Sequence, residues 1–490
     1  MSKKNSPSVK VNFILSTAYQ VMIFILPLIT KPYFSRVLRP EGLGIVSYTQ
    51  SYQTYFSMFA ALGTMAYGTR EIARARDDLQ RRTRLFWEIE LMTVITSTIC
   101  LACWIFFILF NEKYKIYYIV LTMGIFSTMF DISWFFNGLE QFKYTVSKNA
   151  FFKIAGVILL FIFVRTREDL PIYAAILAGS TMLGNLSMWL YVKRFTCPVD
   201  FKSLHIKPHF KETLIYFIPS IATSVYTVLD KTLIGLLTHN EAQNGFYEQT
   251  TEMVNMMKAL TFTSLNNVLG ARISYLFENK KYEEIKERIR LSINYILYLG
   301  LGMCFGLMAV SSRFVPWFYG PGYDEVATML KLMSPIVVIV GISGCLGTQY
   351  FTPSGKRKLS AKFIVAGACI NLILNLILIP RLLGNGAIVA SLAAELLITA
   401  LYLRHCDGYL TLSVLWQDGW KKLAAGLVMM GCIFLIDPMI GSNKLAVLIE
   451  VPFGVLLYFG VTFILRDRFL MDFIIGRMLK GIIGKVFKKK

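Results

Sequence analysis

PIYAAILAGSTMLGNLSMWLYVKR, residues 171–194, decides the fold. Pro171 to Val192 carries no formal charge and is stopped by Lys193 and Arg194. A hydrocarbon core about 30 Å thick takes about 20 apolar residues of α-helix. This stretch therefore reads as a bilayer span with its basic stop at a headgroup surface. Similar runs recur near 11–30, 43–66, 85–110, 116–137, 146–165, 212–237, 243–269, 291–316, 325–350, 360–380, 386–403, 422–441 and 445–465. Little chain is left between them. The expected fold is an all-α integral membrane protein of about 14 transmembrane helices, with no room for a separate soluble catalytic domain.

Loop charge sets the orientation. One set of alternate loops holds Arg70, Arg74, Arg76, Arg81, Arg82 and Arg84, then Lys193, Arg194, Lys202, Lys207 and Lys211. It continues with Arg272, Lys280, Lys281, Lys286, Arg288 and Arg290, then Lys356, Arg357, Lys358 and Lys362. Lys3, Lys4 and Lys488 to Lys490 place both termini in the same class. The positive-inside rule makes this side, and both termini, cytoplasmic. The sequence is 55% hydrophobic and 14% aromatic, with 51 basic against 30 acidic residues and a net charge of +21. Topology and contact with anionic lipid headgroups account for that charge. No interleaved aromatic and basic motif marks a nucleic-acid surface.

Enzyme signatures are absent. There is no G-x-x-x-x-G-K-[ST] phosphate loop, G-x-S-x-G or H-E-x-x-H. Cys100 and Cys103 form a C-x-x-C inside the third apolar span, where they read as small packing residues. His205 and His209 share helical spacing in a basic loop and read as a surface face without further metal ligands. The first apolar run is long, lacks a small-residue cleavage site and continues into Pro27 and Pro32, so the first helix is expected to be retained.

The chain also repeats itself. Ala175-Ile-Leu-Ala178 and Leu190-Tyr-Val-Lys-Arg194 of span six match Ala387-Ile-Val-Ala390 and Leu401-Tyr-Leu-Arg-His405 of span twelve. Pro27 in span one corresponds to Pro219 in span seven. The organisation expected is an N-lobe over 1–192, a cytoplasmic linker over 193–211 and a C-lobe over 212–405. Residues 406–490 add helices thirteen and fourteen and a basic cytoplasmic tail. Six helices per copy make the halves parallel, a transporter plan with the substrate between them.

Polar residues inside spans carry the function. At about 100° per residue, Glu248, Thr251, Glu252, Asn255, Lys258 and Asn266 fall within about 120° of arc on span eight. A central charge costs about 2.5–3.5 kcal/mol on insertion scales, so such a stripe faces protein or water. Tyr48, Ser51, Tyr52 and Tyr55 form a related stripe on span two. The two stripes read as walls of a hydrated cavity; the alternative is hydrogen bonding between helices in a dry interface. Further intramembrane charges are Asp131, Lys153, Asp230, Lys231, Lys331 and Glu395, with Lys31 and Arg36 at the outer end of span one.

At these residues the chain resembles a known family. Pro32 to Gly44 (PYFSRVLRPEGLG), Gly68 to Ala73 (GTREIA), Asp131 to Lys143 (DISWFFNGLEQFK), Leu229 to Gly235 (LDKTLIG), Asn371 to Pro380 (NLILNLILIP) and Ala393 to Glu395 carry the likeness. They resemble blocks of the bacterial polysaccharide repeat-unit flippases, of the multidrug/oligosaccharidyl-lipid/polysaccharide exporter superfamily. One departure is Gly270 to Ser274 (GARIS), where that family commonly has Pro before Arg.

The resemblance implies two six-helix lobes around a V-shaped central cavity. It also implies translocation of undecaprenyl-diphosphate-linked oligosaccharides to the outer leaflet of the bacterial cytoplasmic membrane, by alternating access coupled to an ion gradient. No cofactor is implied beyond a coupling Na+ or H+. The substrate, membrane lipids, a polysaccharide polymerase and glycosyltransferases are the implied partners. On this reading Arg36, Lys231, Lys258 and Arg272 meet the diphosphate. Tyr48, Tyr52, Tyr55 and Trp134 stack on sugar faces, and Asn255 lines the same wall. Asp131, Asp230, Glu248 and Glu252 are the candidates for ion coupling. The alternatives are a lipid-linked peptidoglycan precursor flippase or a cation-coupled drug antiporter of the same superfamily. A membrane polymerase or glycosyltransferase is the alternative from another class.

Overall fold

The computed structural model describes residues 9–439 and 446–471, with side chains outside 9–18, 20, 218–220, 222–227, 263–265, 267–268 and 270–272. The terminal lysines and the side chains of Pro219 and Arg272 therefore lie outside the described residues. All described elements are helical. They fall into two compact units, Met1–Gly245 and Phe246–Lys490.

The first unit holds α1 (Val9–Ala61), α2 (Thr64–Arg74), α3 (Leu79–Leu109), α4 (Lys115–Met129), α5 (Ser133–Gly138), α6 (Phe142–Phe163), α7 (Leu170–Val192) and α8 (Lys207–Thr238). The start of α9 (Glu241–Lys258) belongs to it as well. The first two apolar runs are one long helix broken at Arg39, whose φ is 61°. Pro40 follows, and a proline disfavours the helical conformation of the residue before it. Near that break the backbones of α1 and α9 touch through glycines. A Cβ on Gly44 would stand 1.7 Å from the Glu241 carbonyl oxygen, and one on Gly245 would stand 2.0 Å from that of Pro40.

The first turn of α8 and the segment before it are anchored by polar contacts. His209, read above as a surface residue, is only 7% exposed. Its Nδ1 lies 2.7 Å from the Tyr67 hydroxyl and its Nε2 lies 3.0 Å from Glu88 Oε2. The His205 amide donates to Glu88 Oε1 over 2.8 Å. Sequence spacing places two histidines on one face, but it does not reveal a glutamate over a hundred residues earlier that draws one of them inside. The aromatic core beside this cluster is Phe86, Trp134, Phe135 and Phe136.

The second unit continues with α10 (Ser264–Glu278), α11 (Tyr282–Phe318), α12 (Asp324–Met333), α13 (Ile336–Leu346), α14 (Arg357–Leu382), α15 (Gly384–Arg404), α16 (Leu412–Ile436) and α17 (Val447–Ile464). Ion pairs tie the last two helices to α11 at both ends. Arg290 grips Asp418 through two bonds of 2.7 and 2.8 Å. Lys422, 1% exposed, donates to Asn294 over 3.0 Å and pairs with Asp467, 2% exposed, over 2.9 Å. Arg313 pairs with Glu450 over 3.2 Å and also with Asp437.

Ten helical stretches are long and apolar enough to cross a membrane, or eleven if α12 and the Ile336–Phe351 segment, bent by 41°, form one span. That count covers the described residues only. Dividing the Val21–Arg74 stretch at Arg39, and adding α8 and the helix running through α9 and α10, is what a total of about fourteen requires.

Two predictions concern these contacts. Lys422→Ala should leave Asp467 buried without its cation, at a cost of about 3–5 kcal/mol. Thermal unfolding of the detergent-solubilised protein should show a clear drop in Tm, and the pair Lys422→Met with Asp467→Leu should recover most of it. A single variant melting like the parent would mean that the network holds nothing.

At the chain turns 352–356 and 405–411, Lys356 and the Tyr350 hydroxyl each reach Asp407 Oδ2 over 2.5 Å. The Lys356 ammonium, then Tyr350, hold the Asp407 carboxyl below its ordinary range. A carboxyl with a lowered folded-state pKa contributes stability at neutral pH and loses it as pH falls through that pKa. The Tm deficit of Asp407→Asn should therefore be small at pH 7, because the pair is exposed, and should vanish on acidification. A deficit that persists in acid would exclude an electrostatic clip.

Candidate functional site

On the second arm of α1, Tyr48, Ser51, Tyr52 and Tyr55 follow the three-and-four spacing that puts side chains on one helix face. The Tyr48 and Tyr52 hydroxyls are 3.0 Å apart. Tyr52 also stacks on Phe107 with ring centres 5.3 Å apart. α8 lies against this stripe. Thr232 donates to Ser51 Oγ over 2.9 Å and reaches the Tyr55 hydroxyl at 3.4 Å. Gly235 sits so close to Tyr48 that a Cβ there would be 2.1 Å from the ring. Beside Thr232, Asp230 is buried and Lys231 half-buried. Neighbours on a helix diverge by about 100°, so these two point in different directions.

Beside these helices, the chain at Tyr114 and the start of α9 border a partly open cavity of about 210 Å³ whose lining includes Tyr48, Tyr114, His239, Asn240 and Asn244. Glu241 closes its polar side by accepting from the Tyr114 hydroxyl over 2.7 Å and pairing with Lys113 over 3.0 Å. Burial opposes the charge of Glu241, but the Tyr114 and Lys113 contacts outweigh it and hold the carboxyl below its ordinary range.

Asp131 stands in the turn into α5 and binds its first residue. Its Oδ1 accepts from the Ser133 amide over 3.0 Å and from the Ser133 hydroxyl over 2.5 Å. Trp134, 1% exposed, stacks on Phe86 at 5.7 Å. A Cβ on Gly68 would be 2.4 Å from the indole. Packing covers this ring in the present conformation. Arg36 is exposed on α1 and donates to the Pro32 carbonyl over 2.5 Å.

In the second unit, Glu248, Thr251, Glu252 and Lys258 are half-buried on α9 and Asn255 is exposed. The Glu395 carboxylate of α15 acts electrostatically on Lys258. Asn266 leaves this stripe. It accepts from Gln349 over 3.0 Å, and Gln349 accepts from Ser292 over 3.0 Å, all in the unit's interior. The reason is a π-helical turn, Ala259–Thr263, between α9 and α10. Such a turn inserts a residue into the helical repeat, so the phase counted from Glu248 is lost beyond Lys258. A second π-helical turn, Gly347–Phe351, carries Gln349.

Thr232, the Lys113–Glu241 pair and Glu90 are not singled out by the sequence pattern. Thr232 is a neutral residue next to charged ones, and Lys113 and Glu241 are far apart in the chain. Glu90 stands with Glu88 at the start of a strongly apolar run, where an acid is a legible signal.

The family model described as polysaccharide biosynthesis protein matches residues 9–275. A protein of Escherichia coli (strain K12) named for O-antigen transport is 24% identical over 404 residues, covering 81% of this chain and 97% of that relative. The solved structure of lipid II flippase MurJ in an inward closed conformation superposes with a TM-score of 0.76 at 16% identity, covering 94% of this chain and all of that one. An inward-facing multidrug resistance MATE family transporter of the MOP superfamily gives 0.58 at 12% identity, over 84% of this chain and 98% of its own. The fold is therefore that of this transporter superfamily, in a multi-pass membrane protein. With more than half of its length matched by the family model, the chain belongs to the polysaccharide biosynthesis protein family.

Proposed function

We propose that this protein is a flippase that moves undecaprenyl-diphosphate-linked oligosaccharide repeat units from the cytoplasmic to the outer leaflet, with both termini in the cytoplasm. The observation that carries the reading is Lys258, an ammonium half-buried on α9 beside the amide of Asn255, with Glu395 as its charge partner. A diphosphate needs cations and donors in a low-dielectric site. An organic cation would be repelled by Lys258. Arg36 and Lys231 supply further positive charge in the other unit, and Tyr48, Tyr52 and Tyr55 offer aromatic and hydroxyl contacts suited to sugars. The relative named for O-antigen transport, matched over nearly its whole length, supports the same substrate class.

Coupling to a Na+ or H+ gradient fits the carboxylates on membrane helices, Asp230, Glu248 and Glu252, and Asp131 at the turn between two of them, because a carboxylate removed from water binds a cation or a proton. Alternating exposure then needs no nucleotide.

The test is complementation of a bacterial strain whose own repeat-unit flippase is deleted. Lys258→Ala and Arg36→Ala should each lower surface polysaccharide by about tenfold, the effect of losing roughly one charge-assisted hydrogen bond. Both should leave protein abundance near normal while lipid-linked repeat units accumulate. Arg36→Lys, which keeps charge but not the planar fork, should recover part of the activity. Full complementation by both alanine variants would remove the cations from the site and with them the diphosphate reading.

A further inference from the structure

Glu90 lies in α3, within the apolar run 85–110. It is 1% exposed, and neither carboxyl oxygen has a hydrogen-bond partner among the described residues. Among the described residues, the carboxyl group of Asp131, at the turn between α4 and α5, lies close enough to act on it electrostatically. One helical turn earlier on the same face, Phe86 stacks on Trp134, whose indole N–H is also buried without a partner among the described residues.

Several other titratable groups on α3 and the helices packed against it are engaged elsewhere. Arg84 and His209 bind Glu88. Tyr67 of α2 bonds His209, Glu71 pairs with Arg74, and Arg70 bonds Tyr216 of α8. On α1, Tyr52 meets Tyr48 and Tyr55 meets Thr232. On α4, Tyr118 packs edge-on against Trp104.

Two carboxylates that share a site do not both ionise, and an ionised carboxylate without a donor is costly to bury. Asp131 has two donors from Ser133, while Glu90 has none among the described residues. A metal ion needs several converging oxygen ligands, and no group of three His, Cys, Asp or Glu among the described residues offers them.

We propose that Glu90 is a proton-binding site paired with Asp131. Glu90 holds the proton as a neutral acid in this conformation. It releases the proton to water when the contact of α3 with the Asp131–Trp134 turn opens, leaving a carboxylate whose repulsion from Asp131 favours the open arrangement. The burial of Glu90 and its lack of a donor among the described residues carry the site; only what the proton drives rests on the flippase reading.

Infrared spectroscopy of the full-length protein in lipid membranes, without substrate, tests the site. With glutamates labelled by ¹³C at the side-chain carboxyl, the neutral-pH spectrum should contain an isotope-shifted protonated-acid C=O band that moves in D₂O. The band should disappear in Glu90→Gln and in Glu90→Met, and persist in Asp131→Asn. A band of unchanged intensity in both Glu90 variants, or no protonated glutamate in the parent, would overturn the proposal. The response of lipid-linked oligosaccharide movement to an imposed pH gradient should also be lost in the Glu90 variants. A protein that shows the Glu90 band but moves no such lipid would retain the proton site and refute the flippase reading. A protein that moves the lipid but lacks the band would do the reverse.

Discussion

The cost of leaving a polar group unpaired in hydrocarbon is the constraint on which this structure depends. Water cannot rescue a charge there, so each intramembrane ion needs a partner from another helix. The second unit shows this most directly. Arg290, Asp418, Lys422 and Asp467 link α11, α16 and the chain following α17 at one end, and Arg313, Asp437 and Glu450 do so at the other. Helices with little hydrophobic preference for one another in lipid acquire a defined arrangement through these pairs. His209 and Glu88 perform the same task for the segment entering α8.

The same constraint separates packing residues from candidates for transport. Where a polar group is satisfied by its own unit, as in the Ser292–Gln349–Asn266 chain, it specifies the interior. Lys258 is half-exposed beside the charge of Glu395, and Glu90 lacks a donor among the described residues, so both have capacity left for a group from outside the packed helices. On the function proposed here that is an anionic headgroup for the ammonium, and on the proton site proposed here it is a proton for the isolated carboxyl. An alternating-access flippase requires both kinds of site, one for cargo and one for the driving ion.

Much of this was legible in the sequence, for a physical reason. Apolar runs such as 171–192 state their environment outright. The departures arise where tertiary contacts or backbone irregularities intervene. Arg39 before Pro40 breaks α1 without an intervening loop, so two spans share one long helix. The π-helical turn after Lys258 ends the phase relation of the α9 polar stripe, and Asn266 turns inward. His209 is buried because Glu88 and Tyr67 receive it. Trp134 is enclosed by Phe86 and Gly68, a fit that residue type alone does not disclose.

The most direct measurement is translocation by the purified full-length protein in sealed liposomes, with an undecaprenyl-diphosphate-linked oligosaccharide placed in one leaflet. A membrane-impermeant glycosidase acting from the opposite side would report arrival. The predicted result is glycan becoming accessible only in liposomes that contain the protein, without ATP, and faster under an imposed ion gradient. Glycan that stays inaccessible while the same liposomes transport an organic cation would contradict the flippase reading and establish a drug antiporter instead.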